Sequence, residues 1–445
     1  MAVLEDHPTV RAARAAATQD QTEDAKLTAD ELYDFARACG ADDCGLASID
    51  NPALADERPH ILAAFPGTRS LLSIVVRMHR EPVRSPARSI ANLEFHGAGD
   101  DVDAIARKIV RHLEDRNVRA LNPGVAFPME LESFPERGWV VSHKLVAEAA
   151  GLGRMGIHRS VIHPTFGSFI LLGTVLIAAE LDAVAEPLDF NPCLGCKLCV
   201  AACPVGAIKS DWTFDFSACL THNYQQFMGG FVNWVEDIAE SGSLKEFRSR
   251  STYAETVLRW QSLSYRPNYN SAYCLAVCPA GSDVIGPYLA DKKGHLNAFV
   301  KPLQAKSETV YVTKGTDAAD FVGKRYPHKT VRFVKPSARA TTIRNFVSGA
   351  RLTFQPGKAG NLSATYHFVF KGDEPMRATF AVRDGTLTVT EGLVGQPNLT
   401  VFADSTSWLR FLAKEVSLLR CLLTLKIRVK GSPRLLVAFG RCFSS

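Results

Sequence analysis

The chain has 445 residues, of which 46% are hydrophobic and 22% are charged. This composition and length are typical of a globular protein with two or three domains, which excludes disordered, collagen-like and coiled-coil proteins. The longest uncharged apolar run covers only residues 169–179, which is too short to span a bilayer, and residues 1–20 lack the apolar stretch of an export signal. We therefore predict a cytoplasmic protein without a transmembrane helix.

Charge divides the chain into two parts of opposite sign behind the net charge of +5. Residues 331–445 hold 17 Lys and Arg against 6 Asp and Glu, whereas residues 1–330 hold 34 against 40. A basic C-terminal part suits an anionic membrane surface, a nucleic acid, or the acidic part of the same chain. Because no basic stripe with interleaved aromatic residues stands out, we expect no nucleic-acid partner and leave peripheral membrane contact open.

The N-terminal part of the chain alternates short strands and helices. Residues 1–26 lack apolar periodicity and predict a disordered tail. A capping box at Thr28 then predicts the start of a helix, and short apolar runs, the second rich in Val and Ile, predict buried strands at 44–49 and 71–78. Residues 27–188 therefore predict a mixed α/β domain.

Three further segments differ in composition. Residues 189–290 hold most of the cysteines, and residues 291–339 are polar and predict a linker with one strand near 330–334. From 340 to 445 a helix is followed by alternating strands, with a turn at Asp384-Gly385 and two more helices. This last segment predicts a compact α+β domain.

Eleven cysteines in a chain without an export signal favour metal or redox chemistry over disulfides. The run Cys193-Leu-Gly-Cys196-Lys-Leu-Cys199-Val-Ala-Ala-Cys203-Pro204 has the bacterial ferredoxin spacing. In that spacing three thiolates bind one iron-sulfur cluster and the fourth binds another. Zinc is the alternative, but structural zinc sites pair their Cys-x-x-Cys knuckles differently and do not require the Cys-Pro ending.

The ferredoxin rule divides seven cysteines into a first thiol group for one 4Fe-4S cluster and a second thiol group for another: Cys193, Cys196, Cys199 and Cys278, then Cys203, Cys219 and Cys274. The second group has one thiolate too few, because Ser271 stands where a full motif has Cys. Three options stay open: Ser271, Tyr273 or water completes a 4Fe-4S cluster, the site holds a 3Fe-4S cluster, or it is degraded. The remaining cysteines lie in apolar settings and predict buried core thiols: Cys39, Cys44, Cys421 and Cys442.

Two segments before the cysteines carry a family resemblance. Ser142–His158 contains Ala-Gly-Leu-Gly, and His163–Gly173 contains an aromatic-Gly pair. In this order the motifs resemble epoxyqueuosine reductases and corrinoid reductive dehalogenases over about residues 28–290. The resemblance implies a nitroreductase-like α/β domain that holds cobalamin, and a ferredoxin-like domain whose two 4Fe-4S clusters supply electrons. It also implies that the backbone approaches the corrin at four glycines: Gly151, Gly153, Gly156 and Gly167.

The resemblance also suggests a proton donor. Epoxyqueuosine reductases carry an acidic proton donor in an Asp-containing stretch shortly before the Ala-Gly-Leu-Gly motif. Residues 129–138 here offer Glu130, Glu132 and Glu136 but no Asp, and Glu136 is the nearest of these in position. Glu136 is therefore our predicted catalytic general acid, and a solvated loop carboxylate is the alternative. No Asp-x-His-x-x-Gly corrinoid motif occurs, so cobalamin binding stays open.

The C-terminal segment, about 340–443, resembles the sterol carrier protein type 2 domain. The likeness rests on the strand pattern around Asp384-Gly385, on Asn398–Asp404 and on Lys430–Leu436. It implies a five-stranded sheet whose helices enclose an apolar tunnel for a lipid or acyl chain. Apolar residues in this segment suit such a tunnel, with an ordinary packed core as the alternative: Trp408, Leu409, Phe411, Leu412, Leu418, Leu419, Leu422 and Leu423.

We therefore predict a multidomain α+β iron-sulfur oxidoreductase. It would reduce a hydrophobic, lipid- or sterol-like substrate with electrons from a ferredoxin or flavodoxin, passed through 4Fe-4S clusters and, as an open point, to cobalamin. One alternative is a non-catalytic ferredoxin-like electron carrier fused to a lipid-binding domain. The other is tRNA modification of the epoxyqueuosine reductase kind, against which the lipid-type C-terminal domain weighs.

Overall fold

The computed structural model describes residues 7–19, 27–126, 129 and 139–443. Its N-terminal part contains six helices and six strands: α1 (Pro8–Gln19), α2 (Ala29–Ala38), β1 (Asp43–Ser48), α3 (Arg58–Ala64), β2 (Ser70–Arg77), α4 (Arg80–Arg84), α5 (Arg88–Glu114), β3 (Ala120–Leu121), α6 (His143–Ala149), β4 (Arg154–Met155), β5 (Val161–Ile162) and β6 (Ile170–Ile177). No helix in the described ranges combines the length and apolarity needed to cross a membrane.

The N-terminal sheet has the strand order β1-β2-β6-β3, and all its pairs are antiparallel. Side chains alternate across β2 because successive residues of a strand point to opposite faces. Leu72 and Ile74 pack with α2 and α5 on one face, and Leu71 and Val75 pack with α3 and α6 on the other. Helices therefore cover both faces of the sheet, which confirms the predicted mixed α/β domain.

The helix boundaries in this part follow local signals, with one correction. Thr28 caps α2 by accepting a hydrogen bond from the Glu31 N–H, as predicted. Residues 1–26 were predicted to be a disordered tail, but α1 forms over Pro8–Gln19. Alanine has the highest helix propensity of all residues, and six of these twelve residues are Ala or Gln.

The central part is built mainly from short helices: α7 (Leu198–Ala202), α8 (Phe216–Asn223), α9 (Gly229–Glu240), α10 (Leu244–Arg250), α11 (Tyr253–Ser264), α12 (Tyr273–Ala276), α13 (Gly286–Ala290), α14 (Lys292–His295), α15 (Lys301–Ala305), β7 (Thr309–Val312), α16 (Asp317–Arg325) and β8 (Thr330–Phe333). A single π-helical turn joins α14 to α15. The predicted strand near 330 is therefore present.

Residues 291–339 are not the linker that we predicted. Strands β7 and β8 pair in parallel and are joined by α16. Val310, Val312 and Val322 are fully buried in the same core as Cys199 and Cys203. The apolar runs of this unit are short and separated by polar residues, so the contribution of 291–339 to the cysteine domain emerges only through long-range packing.

The C-terminal domain contains five strands and five helices: α17 (Ile343–Thr353), α18 (Pro356–Ala359), β9 (Ala364–Lys371), β10 (Met376–Arg383), β11 (Thr386–Glu391), β12 (Leu399–Asp404), α19 (Ser405–Leu412), α20 (Leu418–Leu423), β13 (Ile427–Gly431) and α21 (Pro433–Arg441). The strand order is β11-β10-β9-β12-β13, with only β9 and β12 parallel. Asp384 and Gly385 both have positive φ angles in the tight turn between β10 and β11.

Aromatic rings fill the inner face of this sheet. The ring centroid of Phe368 lies 4.9 Å from Phe380, 5.2 Å from Phe439 and 5.4 Å from Trp408. These contacts favour the packed-core alternative for Trp408, whereas Leu419 and Leu423 are 66% and 75% exposed. The five-stranded sheet agrees with the resemblance, and a lipid tunnel stays a prediction.

Candidate metal centre

The first thiol group is assembled from one loop and a distant segment. Cys193 and Cys196 lie on the loop before α7, Cys199 lies in α7, and Cys278 follows α12. The loop turns at Gly195, whose φ angle of 69° lies in the left-handed region that glycine adopts without strain. This turn directs three thiols of one short segment towards the same space.

These four thiols line a cavity of about 130 Å³, which we call the four-thiol cavity. The backbone N–H of Ile157 donates to Sγ of Cys193 over 3.3 Å. Within the described residues, no three His, Cys, Asp or Glu side chains are arranged to bind a single metal ion. Thiols spaced around a cavity fit a cluster of several metal atoms better than the zinc alternative.

Burial raises the pKa of three thiols in the first group. The pKa of Cys278 rises to about 11, mainly through burial and partly through the neighbouring Cys196 and Cys193. Burial also raises the pKa of Cys193 and of Cys199. These three thiols are therefore protonated near neutral pH when metal-free, and iron must displace their protons when it binds.

The second thiol group uses the same helices as the first. Cys203 follows α7, Cys219 lies on α8 and Cys274 lies on α12. Burial raises the pKa of Cys274 to about 12, and the next largest cause is the neighbouring Cys203. Burial also raises the pKa of Cys219, with Cys203 and Cys274 as the next causes. The structure thus brings the three thiols close enough to affect one another's pKa, and their role as ligands of a second cluster stays a prediction.

Both protein candidates for the missing ligand already have hydrogen-bond partners. Ser271 Oγ donates to Oδ1 of Asn223 over 3.0 Å, and Tyr273 Oη donates to Oε2 of Glu308. Ser271 N–H bonds the same Asn223 oxygen over 2.9 Å. These bonds hold both hydroxyls, so a water ligand or a 3Fe-4S cluster is favoured among the predicted options.

A cation lies beside the second thiol group. Lys144, on α6, donates from Nζ to the backbone oxygen of Arg159 over 2.7 Å. Its positive charge lowers the pKa of Cys219 and Cys274, against the larger raising effect of burial. Sequence reasoning missed Lys144, because no spacing pattern connects it to cysteines that lie more than 70 residues away.

His158 is a second residue that sequence reasoning did not assign. It lies between β4 and β5 and lines the four-thiol cavity. Burial, followed by the charge of Lys144, lowers the pKa of His158 to about 4. The ring is therefore neutral at neutral pH.

The four predicted corrin-contact glycines pack against the chain itself. A Cβ at Gly167 would lie 1.9 Å from the Ala280 oxygen, and one at Gly153 would lie 2.5 Å from the Ile162 oxygen. Added Cβ atoms at Gly151 and Gly156 would also come within 3.0 Å of protein atoms. Internal packing thus accounts for these glycines and forms no cradle for a corrin ring, so their role as corrin contacts stays a prediction.

The remaining predicted residues divide into two kinds. Glu136, the predicted general acid, lies outside the described residues. The four cysteines that were predicted to be core thiols pack in the N-terminal and C-terminal cores, and all but the half-buried Cys39 are buried: Cys39, Cys44, Cys421 and Cys442.

Comparisons with known proteins agree with this geometry. A family profile described as a 4Fe-4S binding domain matches residues 187–209. This match covers Cys193 to Cys203, so the chain contains a ferredoxin-type 4Fe-4S segment at the site of the first thiol group. The iron-sulfur prediction is confirmed, whereas the number of clusters stays a prediction.

An epoxyqueuosine reductase from Gloeobacter violaceus is 29% identical over 166 residues, which cover 37% of this chain and 49% of that protein. A second epoxyqueuosine reductase, from Salmonella typhimurium, is 29% identical over 171 residues, which cover 41% of that protein. The predicted resemblance to epoxyqueuosine reductases is confirmed. The chain spans about half the length of the curated relatives it matches.

Solved structures of the same kinds of protein are also similar. An epoxyqueuosine reductase with an epoxyqueuosine-modified tRNA-Tyr stem loop is 18% identical, with a TM-score of 0.34 over 45% of this chain and 57% of that one. The reductive dehalogenase NpRdhA is 14% identical, with a TM-score of 0.37 over 54% of this chain and 36% of that one. A sterol carrier protein 2 like 2 from Aedes aegypti is 15% identical, with a TM-score of 0.20 over 22% of this chain and 89% of that one.

These comparisons contradict one prediction. We expected no nucleic-acid partner, but the curated relatives are named epoxyqueuosine reductases, and a similar structure was solved with a tRNA stem loop. That expectation rested on the lack of a basic stripe in the sequence, which does not detect basic residues that folding gathers from distant segments. It is withdrawn.

Proposed function

We propose that the protein is an iron-sulfur reductase whose two thiol groups hold clusters that carry electrons to a modified nucleoside in tRNA. The single observation that supports it most is the four-thiol cavity with the second thiol group next to it. Two helices serve both groups: α7 carries Cys199 and precedes Cys203, and α12 carries Cys274 and precedes Cys278. In both pairs the two cysteines are only four residues apart, and Cys274 of the second group is close enough to raise the pKa of Cys199 in the first, so electrons have a short path between the groups.

The surrounding residues would stabilise the charge on such clusters. A 4Fe-4S cluster, when bound, accepts and passes one electron at a time. N–H groups of Ile157 and Ala207 donate to Sγ of Cys193 and Cys203, each over 3.3 Å. Lys144 adds a positive charge at the second group. Donors and positive charge favour the more negative, reduced state.

Cobalamin has no role in this proposal. The glycines that the resemblance assigns to the corrin are packed against protein atoms. Cobalamin binding therefore stays a prediction.

The tRNA substrate is supported by the curated relatives rather than by the geometry. Loss of an epoxide oxygen as water consumes two electrons and two protons. Two one-electron clusters and an external one-electron donor can supply the electrons in sequence, and the protons come from solvent water. Our main prediction, a hydrophobic substrate, has no comparable support, because the inner face of the C-terminal sheet is filled by aromatic rings. The relatives therefore favour what was our alternative.

The first experiment is anaerobic purification of the full chain, with iron and sulfide analysis and EPR spectra before and after dithionite. We expect about seven to eight irons per chain, for one 4Fe-4S cluster and a second cluster of three or four irons. The reduced protein is then incubated with tRNA that carries epoxyqueuosine, and the nucleosides are measured by mass spectrometry. Conversion to queuosine is the expected result.

Two results would contradict the proposal at different levels. Absence of sulfide-bound iron would overturn the iron-sulfur assignment itself. Reducible clusters with unchanged tRNA would overturn the substrate and favour the electron-carrier alternative. A Cys196→Ser sample carried through the same incubation controls for conversion by dithionite alone.

A further inference from the structure

A tight turn holds His158 at the four-thiol cavity. The Gly156 N–H donates to the Ser160 oxygen over 3.0 Å, and the Arg159 N–H donates to the Gly156 oxygen over 2.9 Å. Arg159 also donates from its guanidinium to the Trp212 oxygen over 3.0 Å. Trp212 and His158 both line the cavity, so this turn is part of the cavity wall.

The hydrogen bonds of the His158 ring identify which nitrogen carries the proton. Nδ1 accepts a hydrogen bond from the Ser160 N–H over 3.1 Å, so Nδ1 is unprotonated. Nε2 of the neutral ring therefore carries the hydrogen.

Among the residues that the structure describes, that Nε2–H has no hydrogen-bond partner. His158 is only 5% exposed, and Nε2 is buried without a hydrogen-bond partner among the described residues. Leaving a buried donor unpaired is unfavourable, because the group loses its hydrogen bond to water and gains none. An N–H of this kind in the wall of a cavity indicates an acceptor that occupies the cavity.

We propose that His158 donates a hydrogen bond from Nε2 to a sulfur of the cluster in the first thiol group. Ile157, the preceding residue, already donates its backbone N–H to Sγ of Cys193. The same turn thus presents two adjacent donors to one cluster. This inference rests on the proposed function, because it requires a cluster in the cavity.

The proposed role is to stabilise the reduced cluster. Reduction adds one electron from the external donor and no bond is broken. The proton stays on Nε2, so the step needs no other reactant. Hydrogen bonds to cluster sulfur raise the reduction potential because they favour the extra negative charge. Removing the donor should therefore make the first cluster harder to reduce.

The test compares His158→Leu, which removes the donor, with His158→Gln, which retains an N–H donor. His328→Leu makes the same chemical change at an exposed ring, which bonds the Gln304 oxygen and does not line the cavity. Iron content and the midpoint potential of the first cluster are measured by EPR-monitored titration. A Cys274→Ser protein identifies which signal belongs to the first cluster.

We expect His158→Leu to retain its iron. At a fixed solution potential, its ratio of reduced to oxidised first cluster should be about tenfold lower than in the wild type. For one electron that is about 59 mV. His158→Gln should fall between this value and the wild type, and His328→Leu should match the wild type. An unchanged potential in an iron-loaded His158→Leu protein would overturn the proposal.

A second measurement does not depend on whether His158→Leu folds. In wild-type protein labelled with ¹⁵N-histidine, pulsed EPR of the reduced first cluster should detect a ring-nitrogen coupling that disappears in His158→Gln. A wild-type cluster without this coupling would refute the hydrogen bond and leave the iron-sulfur assignment intact. Wild-type protein without any cluster would instead refute the proposed function.

Discussion

The two thiol groups share helices α7 and α12 but differ in completeness. The first group surrounds a cavity with four thiols, and the loop at Gly195 directs three of them inwards. The second has three thiols, and Ser271 at the fourth position bonds Asn223 instead. The comparison shows that a shared scaffold can position one complete and one incomplete ligand set, because each ligand depends on its own side chain.

The largest expected effect is at the complete group. Cys196→Ser should remove about four irons per chain and lower the reductase rate more than about 100-fold, because even residues that only support metal ligands change affinity or activity by 10–100-fold. Iron analysis and the tRNA assay measure both. Cys421→Ser, at a buried thiol of the C-terminal core, is the matched control. Full iron and turnover in the Cys196→Ser protein would refute the ligand assignment.

The incomplete group can be completed by one substitution. Ser271→Cys should supply the fourth thiolate and slow iron loss to a chelator by roughly tenfold, in line with the effect of ligand-shell changes on metal affinity. It should also remove any EPR signal of an oxidised 3Fe cluster. Ser271→Ala, which adds no ligand, is the control. If Ser271→Cys and Ser271→Ala lose iron at the same rate, position 271 does not face the cluster.

The two groups should also respond differently to loss of a nearby charge. Lys144→Met removes a cation that acts on Cys219 and Cys274. At a fixed solution potential we expect about a tenfold lower ratio of reduced to oxidised second cluster, which corresponds to a midpoint potential about 59 mV lower for one electron. The midpoint potential of the first cluster should not change. Lys144→Arg retains the charge and should behave like the wild type. A shift of equal size in both clusters would show that Lys144 does not act locally.

The smallest expected effect is on the pH dependence of the thermal stability of the metal-free protein. Burial raises the pKa of Cys278 from 9.0 to about 11, so the folded state favours the neutral thiol. The resulting stability is fully present below pH 9 and is lost as pH rises from 9 towards about 11. We expect the Tm of metal-free wild-type protein to fall further over this window than that of metal-free Cys278→Ala. Parallel curves for the two proteins would show that Cys278 does not contribute.

Sequence and structure agree best where a local pattern determines the element. Strands β1 and β2 form where short apolar runs predict them, and Thr28 caps α2. Agreement is weaker for residues 291–339, where β7, α16 and β8 pack into the cysteine domain. Four-residue strands carry little periodicity of their own, so their burial depends on partners that are distant in sequence.

The sequence by itself determined the metal chemistry: the spacing of Cys193 to Cys203 is local, and a short loop and helix convert it directly into converging thiols. It also determined that Ser271 interrupts the second motif. Only the tertiary structure decided what surrounds the thiols, including Lys144 beside the second group and, at the first, the Nε2–H of His158, which has no partner among the described residues. The physical reason is that covalent spacing sets local geometry, whereas charge, burial and unpaired donors depend on segments that meet only when the chain folds.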